Sequence, residues 1–437
     1  MQKNRKTDWL EKLDKLSPRD YSLALGSWRD IYHLVLLPNY KEPAEIIRES
    51  LNSLLLSDYP KEKLIVVVSF EERAGPERKL VAEGIRQEFE GKFFKLLTTF
   101  HPANLVGEIA GHGSNDHWAA SQAKELIIDP LGIPYENIIV SSFDVDTLAF
   151  PRYFSCLTFY YLTCQNPTRK SFQPIPLYNN NFWDAPAISQ ISSFTSTFWQ
   201  IMCQERPENL VSFSSHAISF KALVGVGFKQ TNIIPDDSRI FWQCFFRYDG
   251  DYEVVPIFYP VSMDSNVGRN WWTTLKQIYK QKKRWAYGVE DIPYFLYGCL
   301  KNKKVPLKKK LSRGLELISG HWSWATASIL IFSLGWLPLF LGGPIFSRSL
   351  LAYSVPKMAS RVMTFAMIGM ITSVWYSSAL LPERREGKGK MRYLVFVAAW
   401  ILVPLDMLIF GSIPALESQT RCMLGKYLSY WATPKQR

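Results

Sequence analysis

The stretch IYHLVLLPNYKEPAEIIRESLNSLLLSDYPKEKLIVVVSF, residues 31–70, decides the fold class. Its two ends, residues 31–37 and 64–70, are apolar runs typical of strands that are buried on both faces. Between them, residues 44–58 carry apolar side chains at helical spacing. Strand, helix and strand in this order predict a parallel α/β unit.

The same alternation continues along the chain. Residues 91–100 predict a strand, residues 114–127 a helix, and residues 137–150 a strand followed by a turn. In open α/β sheets, ligands bind beyond the carboxyl ends of the strands. The loops expected to carry function are therefore PNYKE (38–42), SFEERAG (69–75) and FDVDT (143–147).

The charge of this 437-residue chain is uneven. Its formal net charge is +12, and residues 269–313 alone hold thirteen Lys and Arg against two acids. A basic cluster next to apolar segments indicates anionic headgroups or a phosphorylated ligand, and it argues against nucleic acid as a partner. The six cysteines are scattered without CxxC spacing, which indicates neither a zinc site nor disulfides and fits a reducing, cytosolic face.

Three carboxy-terminal stretches are long and apolar enough to cross a membrane: 322–341, 362–381 and 393–413. Aromatic and basic residues cluster near their ends, as at a lipid interface. The alternative is a set of buried helices in a soluble protein. Asp406, inside the third stretch, is a functional candidate, or it pairs with a neighbouring helix.

The orientation of these stretches follows from the basic loop PERREGKGKMR, residues 382–392, which the positive-inside rule places in the cytoplasm. The part before Trp322 is then also cytoplasmic. Three spans would leave the tail 424–437 outside, whereas one extra segment within 344–356 would reverse this. The highly charged residues 1–16 exclude a signal peptide and predict a short amphipathic helix.

Asp144 and Asp146 follow the apolar run IIVSSF and are separated by one residue. On an extended segment this spacing points both side chains the same way. Two such carboxylates can hold a divalent ion on a diphosphate, although acidic turns without a metal are common.

A second acidic pair, Asp236 and Asp237, lies directly before a helical pattern. Carboxylates there suit the positive end of the helix dipole, so capping is one interpretation. The other interpretation is a general base that removes a proton from an attacking hydroxyl.

The motif QKKRW, residues 281–285, lies on a predicted amphipathic helix over 271–298. Such a helix is typical of an interfacial anchor. Arg284 can also donate a fork of hydrogen bonds to a phosphate, and Trp285 can stack on a sugar ring. By contrast, His101, His112, His117 and His216 have no fixed ligand spacing and are expected to be loop or core residues. For His216 the alternative is a place near the acceptor, because its segment precedes the acidic pair.

PNYKE after a strand, then DVD, an acidic pair before a helix, QKKRW and apolar helices occur in this order. This order resembles the membrane-bound family 2 glycosyltransferases, such as cellulose, chitin and hyaluronan synthases and ceramide glucosyltransferase. The resemblance covers residues 31–290. It implies a GT-A fold: an α/β nucleotide-sugar-binding domain with a mixed, mostly parallel sheet, followed by interface helices and a transmembrane region.

The resemblance also implies roles for individual residues. Asp144 would hold the nucleotide and Asp146 would bind Mg or Mn, with Asp144 as a second metal ligand. Asp237 would be the catalytic base, with Asp236 as the other candidate. Gln281, Arg284 and Trp285 would contact the diphosphate and line the acceptor site.

The sequence departs from the family pattern at three places. The usual ED pair is DD here, which leaves the assignment between Asp236 and Asp237 open. The acid that contacts the base is matched only by Glu71 or Glu72, and Lys124 is a poor substitute for the cation that often precedes DxD.

The expected domains are an amino-terminal amphipathic segment (1–30), a catalytic domain (31–260), interface helices (261–316) and a transmembrane region (317–437). The expected function is inverting, metal-dependent transfer of a sugar from a nucleoside-diphosphate donor, expected to be UDP-linked, to a lipid or glycan acceptor at the cytoplasmic membrane face. The alternative is a catalytically inactive membrane scaffold of the same fold. Oligomerisation is left open.

Overall fold

The computed structural model describes residues 1–334, 337–378, 381 and 390–434. An eight-stranded mixed sheet lies between two layers of helices and is followed by further helices. The predicted α/β class with a mostly parallel sheet is therefore confirmed. The loop 382–389, on which the membrane orientation depends, lies outside the described residues.

The sheet has the strand order β3-β2-β1-β4-β7-β6-β8-β5. Its first four strands are parallel, whereas β7 is antiparallel to both β4 and β6, and β5 is antiparallel to β8. The strands are β1 (Tyr32–Asn39), β2 (Leu64–Glu71), β3 (Lys95–His101), β4 (Ile138–Ser142), β5 (Leu148–Ala149), β6 (Lys170–Leu177), β7 (Ala217–Ser219) and β8 (Glu253–Ser262).

Helices cover the sheet and then continue to the carboxyl end. They are α1 (Gln2–Lys6), α2 (Trp9–Asp14), α3 (Ala44–Leu55), α4 (Glu77–Phe89), α5 (His112–Ala123), α6 (Tyr153–Thr163), α7 (Ala187–Gln204), α8 (Phe220–Gly225), α9 (Asp236–Arg247), α10 (Trp271–Ala286), α11 (Asp291–Lys301), α12 (Leu307–Leu334), α13 (Leu337–Leu341), α14 (Gly343–Ser347), α15 (Leu350–Ser378), α16 (Lys390–Ala399), α17 (Val403–Asp406) and α18 (Ile413–Met423).

The predicted unit over residues 31–70 is confirmed. Strand β1 pairs in parallel with β2 on one side and with β4 on the other. Val35 and Leu37 belong to one hydrophobic core, and Leu34 and Leu36 belong to the core on the opposite face of the sheet. Because successive side chains of a strand point to opposite faces, residues 34–37 of β1 are apolar without alternation.

Strands β5 to β8 were not predicted. Two of them contain prolines, which normally argue against a strand because proline donates no ladder hydrogen bond. The sheet accommodates Pro174 through a register shift between Gln173 and Ile175 of β6. Such irregularities are invisible to hydrophobic periodicity.

Two helix predictions were only partly correct. The single amino-terminal helix is divided into α1 and α2, because the Asp8 side chain accepts from the Glu11 backbone N–H and starts a new helix. The helix over 271–298 breaks at a 3-10 turn, Tyr287–Glu290, and α11 then begins at Asp291. Pro293 lies in the first turn of α11, where its missing N–H costs no helical hydrogen bond.

Two helices of the described part are long and apolar enough to cross a membrane, Leu350–Trp375 and Tyr393–Met423. They correspond to the second and third predicted stretches. The first predicted stretch falls on the end of α12 and on α13, with residues 335–336 outside the described range. No part of the most apolar window of Leu350–Trp375 is buried in the protein.

Candidate functional site

The acid pair Asp236–Asp237 forms the first turn of α9 and faces the beginning of α5. A Cβ atom on Gly113 would lie 2.6 Å from Cβ of Asp236, so this close approach requires glycine. Helix α5 follows β3 and packs against β1 and β2, which brings its start to the carboxyl edge of the parallel strands. The acid pair therefore lies at the edge where α/β proteins bind ligands.

The ammonium of Lys229 lies at the centre of this site and is almost fully buried. Its Nζ is 2.8 Å from Asp116 Oδ2 and 2.8 Å from Asp236 Oδ2. It also lies 3.0 Å from Asp237 Oδ1 and donates to Ser142 Oγ at 3.0 Å. One buried cation thus connects α5, β4 and both acids of α9.

His112, the first residue of α5, joins the two acidic motifs. Its Nδ1 lies 3.0 Å from Asp236 Oδ2, and its Nε2 lies 3.5 Å from Asp144 Oδ1. Burial alone would lower the pKa of His112, but the charges of Asp116 and Asp236 outweigh it and raise the pKa to about 10. His112 is therefore an imidazolium at neutral pH, and the expectation of an ordinary loop or core histidine is wrong for this residue.

The two acids of the pair have different surroundings. Burial favours the neutral form of Asp236, but Lys229 and His112 outweigh it and hold the pKa well below the ordinary range. Burial, helped by the charges of Asp236 and Asp144, raises the pKa of Asp237 to about 6. The Asp237 side chain is 27% exposed, against 6% for Asp236. Of these two acids, Asp237 is the one whose side chain a ligand can reach and whose pKa lies close to neutrality.

His216 lies behind Asp237, with Nδ1 3.5 Å from Asp237 Oδ1. Nδ1 is also 3.0 Å from the carbonyl oxygen of Phe213. Burial, together with the charge of Lys229, lowers the pKa of His216 to about 3. The ring is therefore neutral, and Nδ1 donates to Phe213 when it carries the hydrogen.

The DVD segment is a turn rather than an extended strand end. Strand β4 stops at Ser142, and the Thr147 backbone N–H donates to the Asp144 carbonyl at 2.9 Å. The prediction of two carboxylates on one extended segment is therefore wrong in its geometry. Asp144 is partly exposed and accepts from Ser214, whereas Asp146 is fully buried and accepts from the Asp264 backbone N–H at 2.9 Å.

Arg284 of QKKRW reaches the same site. Burial would lower its pKa, but the Tyr430 phenol and the charges of Asp144, Asp236 and Asp237 raise it. Its Nη1 lies 3.2 Å from the Tyr430 hydroxyl. The structure therefore brings Asp144, Asp237 and Arg284 together, and their functional roles stay predictions.

The tail that carries Tyr430 lies against the start of α5. A Cβ on Gly111 would lie 2.8 Å from Cδ2 of the Tyr430 ring, so the tail packs directly on this helix. The side of a membrane on which the tail lies stays a prediction.

Two further residues of QKKRW face a neighbouring cavity. Gln281 and Trp285 line it, and Asn266 donates to Gln281 Oε1 at 2.7 Å. Lys282 and Lys283 have protein partners elsewhere. Lys282 donates to Ser196 Oγ at 2.7 Å, and Lys283 Nζ lies 3.1 Å from Glu417 Oε1.

Glu71 ends β2 and is buried beside Arg73 and His101. Burial would raise the pKa of this carboxyl, but hydrogen bonds from His101 and Arg73 lower it. In the described structure its carboxylate bonds to Arg73 and His101, which lie outside the acid pair. A role toward the nucleotide base stays a prediction.

Two sets of side chains could be considered as metal ligands. The first is His112, Asp116 and Asp236, whose potential ligand atoms lie within 4.8 Å of one another. Among the described residues, this is the only group of three or more such side chains at this spacing. The Lys229 ammonium already bonds to both carboxylates of this group, so it takes the place of a cation there. Asp144 and Asp146 offer only oxygen donors, which suit Mg or Mn.

No protein-family profile matches this chain, and no curated protein matches it by sequence. Among solved structures, a mannosyltransferase of Pyrobaculum calidifontis in complex with GDP-Man and Mn2+ is similar at 14% identity, over 86% of each chain, with a TM-score of 0.48. Staphylococcus aureus TarS is similar at 13% identity, over 70% of this chain and 46% of that chain, with a TM-score of 0.40. Its fragment 1–349 with UDP-GlcNAc is similar at 12% identity, over 91% and 93% of the two chains, with a TM-score of 0.39. At such low identities and scores, the interpretation of the site rests on its own geometry.

The sequence analysis missed several residues of the site. Lys229 belongs to no recognised motif, and Asp116 lies inside a helical pattern. The available signal was the run KQTNIIPDD, which places a lysine seven residues before an acidic pair. His112 had a comparable signal, because it lies between two glycines at the start of a predicted helix.

Proposed function

We propose that this chain is an inverting, metal-dependent glycosyltransferase that moves a sugar from a nucleoside-diphosphate sugar to a hydroxyl of a lipid or glycan. The fold assigned to it is the GT-A type, and the expected donor is UDP-linked. The observation that carries the proposal is the state of Asp237. Its Oδ1 is held by Lys229, while the side chain remains 27% exposed and its pKa is about 6.

Asp237 is the assigned general base. Its ionised carboxylate removes the proton of the acceptor hydroxyl while that oxygen forms a bond to the anomeric carbon. The bond between this carbon and the diphosphate oxygen breaks, and its electron pair leaves with the nucleoside diphosphate. Attack on the face opposite the leaving group inverts the anomeric configuration.

Arg284 is the assigned diphosphate ligand. Its guanidinium is close enough to Asp144, Asp236 and Asp237 for their charges to raise its pKa. It presents a planar fork of N–H donors that suits a phosphate. Its positive charge offsets the charge that develops on the leaving diphosphate. Gln281 and Trp285, on the same helix, are assigned to the acceptor side because they line the adjacent polar cavity.

Asp144 and Asp146 are assigned to Mg or Mn. When bound, such an ion supplies positive charge to the diphosphate. Glu71, at the carboxyl end of a neighbouring strand, is assigned to the nucleotide base.

The proposed location is a membrane, with the catalytic domain on its cytoplasmic face. An apolar helix of 26 residues is about 39 Å long, which exceeds the roughly 30 Å hydrocarbon core of a bilayer. The most apolar part of this helix is not covered by other parts of the described protein, and lipid would cover it. The tail packed on Gly111 fits two crossings, because an even number returns the chain to the catalytic side.

The test is a donor screen with the purified chain in detergent. A panel of nucleotide sugars is supplied with and without Mn2+, and released nucleoside diphosphate is measured. Metal-dependent release with one donor is expected, with a further increase when membrane lipid is added as acceptor. The absence of release from every donor would instead favour the inactive scaffold.

A further inference from the structure

Lys229 lies at the centre of the site but has none of the roles assigned above. It lies in the segment between α8 and α9 and is only 4% exposed. All four of its oxygen partners lie within 3.0 Å. Burying an ammonium is costly unless it is paired and hydrogen-bonded, and here every partner is supplied by the protein.

The ammonium offsets the repulsion between two carboxylates in the first turn of α9. Asp236 and Asp237 are adjacent in sequence, and their carboxylates repel each other. Lys229 binds Oδ2 of the first and Oδ1 of the second, so it holds both in fixed positions at once. Asp116 and Ser142 fix the ammonium from the other side.

A small cavity lies next to Lys229. Its walls combine the apolar side chains of Leu36, Val140, Ile218 and Leu223 with Asp116, Ser142 and His216. The four contacts within 3.0 Å therefore hold the cation on the acid pair.

The two carboxylate oxygens of Asp237 have different surroundings. Oδ1 bonds to Lys229 and lies near His216. Within the part of the chain that the structure describes, the Lys229 and His216 contacts of Asp237 are made through Oδ1 and leave Oδ2 to other partners. Since the side chain is partly exposed, Oδ2 is the oxygen available to a ligand.

We propose that Lys229 is a positioning residue of the transfer reaction. By holding Asp236 Oδ2 and Asp237 Oδ1, it aims Asp237 Oδ2 at the acceptor hydroxyl. This inference rests on the proposed function. In the reaction, the acceptor proton passes to Asp237 Oδ2 and Lys229 remains an ammonium throughout, so it neither gives nor takes a proton.

The first test compares Lys229→Met with wild type, using the donor that wild type turns over. The rate constant kcat should fall by about 100-fold or more, the size of a general-base contribution, while the KM for the donor stays the same. Lys170→Met is the matched control, since it removes an ion-paired lysine 2.7 Å from Glu253 outside the site, and it should leave kcat unchanged. Wild-type kcat in the Lys229→Met variant would overturn the proposal.

The second test separates positioning from folding. In Lys229→Ala, ethylammonium is added to fill the vacated space, and it should restore kcat in a saturable manner, whereas uncharged ethanol should not. The denaturation midpoint is measured beside kcat, because a lysine needed only for folding predicts that kcat recovers only as far as the midpoint does. That result, or equal recovery of kcat with ethanol, would overturn the proposal.

A third variant addresses the case in which Lys229→Met does not fold. Asp116→Asn with Lys229→Met removes the ammonium together with one carboxylate that it neutralises. This variant should regain folding and donor binding without regaining turnover, and recovered turnover would overturn the proposal. Because wild-type turnover is measured first, failure of the proposed function is distinguished from failure of the role of Lys229.

Discussion

The guanidinium of Arg239 donates from Nε to Asp291 Oδ1 at 2.7 Å, and both side chains are buried. Arg239 lies on α9, two residues after the acid pair, and Asp291 begins α11 just after the helix of QKKRW. This ion pair therefore ties α9, which carries Asp237, to α11, which follows the helix of Arg284 after one 3-10 turn. Ser238 adds a hydrogen bond to the other oxygen of Asp291.

Asp291→Ala should destabilise the protein strongly. It leaves the Arg239 charge buried without its partner, which typically costs about 3–5 kcal/mol. The measurement is the denaturation midpoint of the purified chain in detergent. The double variant Arg239→Leu with Asp291→Leu should lose less, because no unpaired charge remains. Equal losses in both variants would contradict this account.

Asp237→Asn should abolish transfer and keep donor binding. An amide cannot accept the hydroxyl proton as a base, and such a base contributes about 100- to 10,000-fold to the rate. Released nucleoside diphosphate and donor affinity are measured side by side. Asp251→Asn, which removes an exposed partner of Arg169, is the control. Full turnover in Asp237→Asn would exclude this residue as the base.

The rate should depend on pH through Asp237. A base must be deprotonated, and burial raises the pKa of this carboxyl to about 6. The kcat/KM value should therefore be constant above neutrality and fall by about tenfold for each pH unit below 6. The measurement is a profile between pH 5 and 8 at saturating metal. A midpoint near the ordinary aspartate value of about 4 would contradict the assignment.

Arg284→Ala should weaken donor binding. Hydrogen bonds to charged groups contribute about 1.5–3 kcal/mol, which corresponds to a Kd increase of about 10- to 150-fold. Arg284→Lys should recover only part of this loss, since an ammonium lacks the planar fork. Arg86→Ala, which removes an exposed partner of Glu83, serves as the control. A donor Kd unchanged in Arg284→Ala would remove this residue from the donor site.

Asp144→Asn should remove the metal dependence of donor binding. The substitution takes away one of two carboxylates assigned to the ion and leaves the turn in place. Donor affinity is titrated with and without Mn2+, and the gain due to metal seen in wild type should disappear. The same gain in both proteins would place the metal elsewhere.

The sequence by itself determined the local elements and the order of the motifs. Apolar runs at 31–37 and 64–70 predict buried strands because such strands need apolar residues on both faces, and the helical spacing at 44–58 is equally local. The acidic pair that begins α9 was also visible, as was the position of Arg284 on an amphipathic helix. Periodicity could not reveal β6, whose prolines are tolerated through a register shift.

Only the tertiary structure decided which residues form the site. Lys229 lies 113 residues after Asp116 in the sequence, yet their side chains are 2.8 Å apart because α5 and the loop before α9 meet at one edge of the sheet. The different pKa values of Asp236 and Asp237 have the same origin. Burial and neighbouring charges set the pKa of a carboxyl, and both depend on contacts between elements that no local pattern encodes.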